Sequence, residues 1–432
     1  MTEAVKSIAP GPTLLTRSDA VKTVEEAATL LFANGETTDR TVVAADRLGR
    51  ALGVPLTLHP RWGELEVRVD GTPHSAIVQA APLGVDMAKV PATMKIVDQV
   101  CDGTLPGVAA RSALVAVGHM APVSNLRFAL FAAIGAASMG VIYGVLDAAS
   151  LLLIALSGGL GALLRRGLAT LGANPFIQPL SAAVVGGAIG AVATRLRLPH
   201  TQLSIALCPC MVLVPGPHIL NAAFDLAHAR IALGIARLTY AGLIVLMICA
   251  GLLVGLAAGG ATLPAVATSM PVPLGADIIA AGCAVAAYGT FFSMPWRLLA
   301  LPVVVGMLAH AAHWALISLA GADVAVGALG ACTLVGIVVT PVADRLHLPF
   351  AGVAFCAVVS MMPGFFLFRL ANARLELVAS GEPVPVNLVP SLVANGTTAF
   401  LIILAMSSGL IVPRMLWDYF RTLSTQHRPG HA

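Results

Sequence analysis

The stretch Arg195-Leu196-Arg197-Leu198-Pro199 returns as Arg345-Leu346-His347-Leu348-Pro349, with an odd number of apolar segments between the copies. A repeat displaced by an odd number of membrane crossings must run through the bilayer in the opposite direction. Three more anchors follow in the same order. Pro215-Gly216 is matched by Pro363-Gly364, each inside an apolar run. Leu226-Ala227-His228-Ala229-Arg230 is matched by Leu370-Ala371-Asn372-Ala373-Arg374, and Gly251-Leu252-Leu253-Val254 by Gly409-Leu410-Ile411-Val412. One short match is ordinary in a chain so rich in Leu and Ala; four in register are not. Inverted repeats with broken helices mark secondary transporters, so the pattern predicts a transporter.

Composition places most of the chain in lipid. Hydrophobic residues make up 58% and charged residues only 11% of 432, against about 25% charged in soluble domains. Mean hydropathy is +0.89. All four lysines (Lys6, Lys22, Lys89, Lys95) fall in the first hundred residues, so a polar N-terminal region precedes the apolar one. A net charge of +4 is too small to imply nucleic-acid binding. Residues 1–20 carry Pro10, Pro12, Arg17 and Asp19 in place of an apolar core. No secretory signal is therefore expected, and the N-terminus is placed in the cytoplasm. The seven cysteines form no C-x-x-C pair, and six lie in apolar runs; they read as small core hydrophobes, with no metal or redox site.

The expected organisation has five parts: a flexible N-terminus (1–19), a cytoplasmic α+β domain (20–118), two five-span membrane repeats (119–258 and 259–420) and a C-terminal tail (421–432). In the α+β domain, Val24, Ala27, Ala28, Leu31 and Phe32 are spaced for a helix over 21–34 that stops at Gly35. A second helix is expected over 38–52, strands over 55–58, 64–69 and 75–80 with a hairpin turn at Asp70-Gly71, and helices over 90–101 and 108–117. His59, His74 and His119 are scattered and read as surface or capping residues.

Ten spans are expected, at 128–146, 148–164, 179–194, 203–220, 231–257, 276–293, 298–319, 324–341, 350–368 and 393–413. The first two are separated by little more than Asp147. With the N-terminus inside, eleven arginines (Arg111, Arg127, Arg165, Arg166, Arg230, Arg237, Arg297, Arg345, Arg414, Arg421, Arg428) fall at inner ends. Four (Arg195, Arg197, Arg369, Arg374) fall at outer ends. That bias agrees with the positive-inside rule and returns the C-terminus to the cytoplasm. An insertion near 376–390 reads as an external loop, with room for a short surface helix.

The chemistry is sought at the matched breaks. Proline removes a backbone donor and glycine loosens the turn around it; such backbone survives at membrane depth only beside protein or a watery cavity. Pro215, Gly216, Pro363 and Gly364 are therefore the substrate-binding candidates, with Gln202, Ser204, His218 and Asn221 as lining groups, beside Thr201. The competing reading, two packing kinks, loses weight because both fall at corresponding repeat positions. His310 and His313 share one helical face and read equally as a proton relay or a buried hydrogen-bonded pair; no third ligand suggests a metal. Asp147, Asp225, Asp277, Asp323 and Asp344 lie near span ends and read as solvated caps. Gly186/Gly190, Gly251/Gly255 and Gly255/Gly259 read as close helix contacts. No lysine follows a glycine, so no phosphate loop exists. ATP drive by this chain is not expected, nor is any cofactor.

The chain resembles the threonine/serine exporter family of bacteria and fungi over roughly residues 20–415. The carrying features are the polar N-terminal region, the ten spans, and the segments Leu213-Val214-Pro215-Gly216 and Met361-Met362-Pro363-Gly364. The Gly/Ala-rich opening span Ala132-Ala133-Ile134-Gly135-Ala136-Ala137-Ser138-Met139-Gly140 carries it too. The resemblance implies export of small hydroxylated amino acids across the bacterial cytoplasmic membrane, driven by the proton-motive force, with the bilayer and a proton as partners and no enzymatic activity. Some relatives are linked to dicarboxylates such as succinate, which remains the alternative substrate. A zwitterion can be held by backbone dipoles at broken helices; a dicarboxylate needs a cation, and Arg237 or Arg127 reaching inward would be that cation. A channel would not need matched broken helices, and a hydrolase would need a nucleophile–base pair that residues 20–118 lack.

Overall fold

The computed structural model describes residues 16–73, 75–196, 198, 202–261, 272–379, 386 and 388–426. It resolves into two compact units. The first comprises residues up to Gly84 together with Lys89–Ala121. Helix α1 (Arg17–Ala33) opens at Thr16, whose hydroxyl accepts from the Asp19 N–H, and it buries Val24, Ala27, Ala28, Leu31 and Phe32. Helix α2 spans Thr38–Ala51. Gly35 and Gly53 follow the two helices at φ +94° and +74°, a conformation that glycine adopts without strain.

Strands β1 (Leu56–Arg61), β2 (Gly63–Val69) and β3 (Ser75–Ala80) form an antiparallel sheet in chain order. Leu56, Leu58, Leu65, Val67, Val69 and Ala80 are its buried members. The expected turn at Asp70-Gly71 joins β2 to β3: the Thr72 N–H donates to the Val69 carbonyl at 3.3 Å, Gly71 takes φ +71°, and Arg68 pairs with Ser75. A second, tighter turn at Trp62-Gly63 joins β1 to β2, where Arg61 pairs with Glu64 and Gly63 takes φ +85°. Helices α3 (Lys89–Cys101) and α4 (Gly107–Gly118) complete the unit. His119 caps α4, its Nδ1 2.8 Å from the Val115 carbonyl, and His59 is exposed. His74 lies outside the described residues.

The second unit holds Val85–Ala88 and everything from Pro122 onward. Its helices are α5 (Asn125–Ile142), α6 (Ala148–Thr170), α7 (Ile177–Arg195), α8 (Gln202–Met211), α9 (Gly216–Ala227), α10 (Ile231–Ala258), α11 (Leu274–Phe291) and α12 (Trp296–Ser318). There follow α13 (Val324–Arg345), α14 (Phe350–Val358), α15 (Gly364–Ala379) and α16 (Leu388–Gln426), with a 3-10 turn, Val359–Met361, after α14. Among the described residues, eight helices are long and apolar enough to cross a membrane, or ten if each of two bent pairs is one span. Asp147 and Asp323 do cap helices, accepting from the Ser150 and Val326 N–H groups. The expected external loop is shorter than 376–390, because α15 runs to Ala379 and α16 already begins at Leu388.

Glycines seam the helices together in pairs. A Cβ on Gly187 of α7 would meet the Leu252 carbonyl oxygen at 2.2 Å, and one on Gly251 of α10 would meet that of Leu180 at 2.2 Å. The α13–α16 pair is built alike: a Cβ on Gly336 would lie 2.7 Å from the Gly409 oxygen, and one on Gly409 would lie 2.8 Å from Cys332 Cβ. The expected Gly186/Gly190 and Gly255/Gly259 contacts are equally filled, Gly190 by Ala206 and Gly259 by Ala191. The repeated RLxLP segments also end their helices alike. Leu196 and Leu346 N–H groups donate to Val192 and Val342, and Leu198 and Leu348 to Ala193 and Ala343. Arg197 and Pro199 lie outside the described residues. The third anchor diverges: Ala229 lies in the link after α9 at φ +57°, whereas Ala373 continues within α15.

Candidate functional site

Both matched Pro-Gly positions interrupt helices. Between α8 and α9 the axis turns by 56°, and between α14 with its 3-10 turn and α15 by 64°. At the first break Pro215 takes φ −84°, ψ 58°, and the Gly216 N–H donates back to the Val214 carbonyl at 2.9 Å. That is the geometry of an inverse γ-turn. At the second, Met362 is extended at φ −61°, ψ 139°, and Pro363 starts α15 by accepting from the Leu367 N–H.

The two breaks interlock. A Cβ on Gly216 would lie 1.6 Å from Phe355 Cε2, so a ring from α14 covers the glycine of the first break. Reciprocally, a Cβ on Gly364 would lie 3.3 Å from Met211 Cγ and 3.8 Å from Val214 Cγ2. Each break is also tied to another helix by a buried side chain. The Tyr288 hydroxyl of α11 donates to the Met211 carbonyl at the end of α8, satisfying one of the acceptors that a helix end leaves open. His310 Nδ1 of α12 lies 3.0 Å from Ser360 Oγ in the turn before Met362.

A cavity of about 330 Å³, counting its open mouth, lies against this junction. Gly216, Ile219, Leu220, Phe355, Val358, Met362, Ile403, Met406, Ser407 and Leu410 line it. Its walls are apolar save for the Ser407 hydroxyl and backbone, and the N-terminus of α9, the positive end of that helix dipole, opens on it.

Of the eight residues expected from sequence, Gly216 is the one among those described that lines the cavity. Pro215, Pro363 and Gly364 form the breaks themselves. His218 and Asn221 are buried on α9, with the His218 ring edge-on to Tyr240 of α10 at 5.2 Å. Ser204 is half-buried on α8, and Gln202 begins that helix; the Gln202 side chain and Thr201 lie outside the described residues. Sequence reasoning missed Phe355 and Ser407. The pair Ser407-Ser408 beside the repeated Gly409 was the legible signal for the second; Phe355 in an all-apolar helix had none.

Two aspartates expected as solvated caps are neither solvated nor caps. Asp225 is 1% exposed and pairs with Arg237 Nε at 2.9 Å and Arg230 at 3.7 Å. Asp277 is 6% exposed, with Oδ1 3.1 Å from His310 Nε2. Position near a span end misled, because neighbouring helices extend past those ends and cover them. Asp344 is likewise engaged, by Arg414 at 2.6 Å, Arg421 at 2.9 Å and Trp417 Nε1 at 3.0 Å.

A bundle of apolar helices whose two broken pairs interlock beside a cavity describes a multi-pass membrane transport protein. Residues 22–259 match a family model described as "Putative threonine/serine exporter", and residues 277–416 match one described as "Threonine/Serine exporter, ThrE". The chain belongs to the threonine/serine exporter family, whose business is amino-acid export. No curated protein and no solved structure matches it.

Proposed function

We propose that this chain is a secondary transporter exporting threonine and serine across the bacterial cytoplasmic membrane, exchanging each for inward-moving protons. Its membrane part is read as ten spans in two inverted halves, with both termini cytoplasmic and the N-terminal unit in the cytoplasm. The packing favours this reading, since α7–α10 and α13–α16 are both seamed by glycines, Gly251 and Gly409 among them at matched positions, and the RLxLP copies close their helices with corresponding hydrogen bonds.

The observation that carries the function is the interlock of the two breaks beside a small, nearly apolar cavity. Broken helices supply dipole ends for a carboxylate and an ammonium without buried charged side chains. The apolar walls suit a short side chain, and Ser407 offers a partner for its hydroxyl. The dicarboxylate alternative needs a cation in the cavity. Arg237, its inward candidate, is held by Asp225, and Arg127 lies over the Trp296 ring at 3.7 Å; neither lines the cavity.

Counterflow by the purified full chain in liposomes, with threonine, serine and succinate in parallel, tests the proposal. Saturable exchange of the two hydroxy amino acids is expected; exchange of succinate alone overturns it.

A further inference from the structure

Helix α12 carries an imidazole that joins a buried carboxylate to the turn preceding the second break. His310 is 4% exposed. Its Nε2 lies 3.1 Å from Asp277 Oδ1 on α11, and its Nδ1 lies 3.0 Å from Ser360 Oγ. His313, one turn on, lies nearby with its ring tilted by 30° and centroids 5.9 Å apart, and its Nε2 is buried without a hydrogen-bond partner among the described residues. The element packed on the other flank, α13, meets this stretch through Gly327, against His313 and Ile317. Among the described residues, Asp277, Ser360 and His313 are the polar groups in contact with His310. No three metal-ligating side chains cluster among the described residues, so the site suits a proton in preference to a metal ion. Ionisable groups within a membrane span are costly, and they commonly mark ion pathways.

We propose that His310, with Asp277 and Ser360, is the proton-binding site that couples the ion gradient to the broken helix. This rests on the export reading above and names the residues for its coupling. The chemistry follows from the donor inventory of histidine. With Asp277 ionised, the neutral imidazole donates from Nε2 to the carboxylate and accepts at Nδ1 from the Ser360 hydroxyl. When a proton is taken up, both ring nitrogens donate, so the bond to Ser360 reverses and the Ser360 hydrogen must find another acceptor. The proton thereby neutralises a buried carboxylate–imidazole pair and rewires the turn two residues before Met362. His310 lies eight residues before the end of α12, about 12 Å along the helix, and Asp277 is in the first turn of α11. On the proposed topology both are nearer the outer face, the side from which protons enter.

The test uses the full chain in liposomes, with radiolabelled threonine and an acid interior. Wild type is expected to accumulate threonine as protons leave. His310→Gln is expected to lose accumulation, its ratio falling to unity, while retaining threonine counterflow, which moves no net charge. Asp277→Asn is expected to keep counterflow with a displaced pH profile of accumulation. Accumulation by H310Q equal to wild type overturns the coupling site and leaves the export reading standing. So does a wild type that exchanges threonine but ignores the gradient. Absence of wild-type counterflow overturns the export reading instead. A substrate-free measurement then decides the site: thermal midpoints of wild type and H310Q must diverge as pH is varied, and superimposable profiles overturn the proposal. Should H310Q not fold, Ser360→Ala, which keeps both ionisable groups, carries the same readouts.

Discussion

Phe355 occupies the space that any side chain on Gly216 would need. The three nearest ring atoms would lie 1.6, 1.9 and 2.2 Å from a Cβ placed there, where ordinary contact needs about 3.5–4.0 Å. Phe355 itself is braced by Tyr288 and Phe292, with ring centroids at 6.0 and 6.5 Å. On those two sides the ring cannot retreat.

Gly216→Ala is therefore expected to destabilise the folded protein by about 1–3 kcal/mol, the usual cost of overpacking. Gly364→Ala, whose nearest neighbour is the flexible Met211 side chain at 3.3 Å, should cost much less. Thermal unfolding in detergent checks both. Adding Phe355→Leu to Gly216→Ala should recover part of the loss; if the double variant is merely additive, the contact is not the cause.

Removing Arg237 alone takes the nearer guanidinium, at 2.9 Å, from the buried Asp225, with Arg230 at 3.7 Å. Arg237→Met should cost about 3–5 kcal/mol, the range for a broken buried pair. The double variant Asp225→Asn/Arg237→Met should be markedly closer to wild type. A double-mutant cycle on melting temperature measures the difference, and a double variant worse than the single would refute a stabilising pair at this site.

The cavity makes Ser407 testable. Ser407→Ala is expected to raise the threonine KM by about 2–10-fold, the equivalent of one lost hydrogen bond of 0.5–1.5 kcal/mol, and to leave alanine exchange unaffected. Ser407→Leu should block transport by filling the space while the protein still folds. Equal effects of Ser407→Ala on threonine and alanine would argue that the hydroxyl contacts no substrate hydroxyl.

Leu196 and Leu346 are exposed at corresponding points of the two RLxLP copies. In a cysteine-free background, Leu196→Cys should react with a membrane-impermeant maleimide from outside intact cells, and Leu346→Cys only after lysis. Labelling of both from one face would sink the inverted arrangement.

What the sequence disclosed was periodic or punctuated. Apolar runs of crossing length located every long helix, and proline beside glycine located both breaks, because those residues act on their own backbone wherever the fold puts them. The expected span 203–220 nevertheless became α8 and α9, ending at Ala227, since a break lets the chain extend past one membrane length. Pairings were illegible. Nothing local to Asp277 names His310, thirty-three residues on, and nothing around Gly216 names Phe355. Asp70-Gly71 did mark the turn between β2 and β3, whereas the Trp62-Gly63 turn stayed hidden because β1 runs on to Arg61, past the alternation that ended the expected strand at 58.

The glycine seams have a mechanical consequence. Where a helix rests on its neighbour's carbonyl oxygens, as Gly187 rests on Leu252 and Gly251 on Leu180, there is no layer of side chains to shear or re-rotamerise. The α7–α10 pair and the α13–α16 pair then behave as two stiff struts. Whatever bending a change of access demands falls on the joints with slack, and the γ-turn at Pro215 and the extended Met362 are built as such joints. Thickening either strut with a methyl, as in Gly187→Ala, would thus perturb the frame and leave the joints themselves intact.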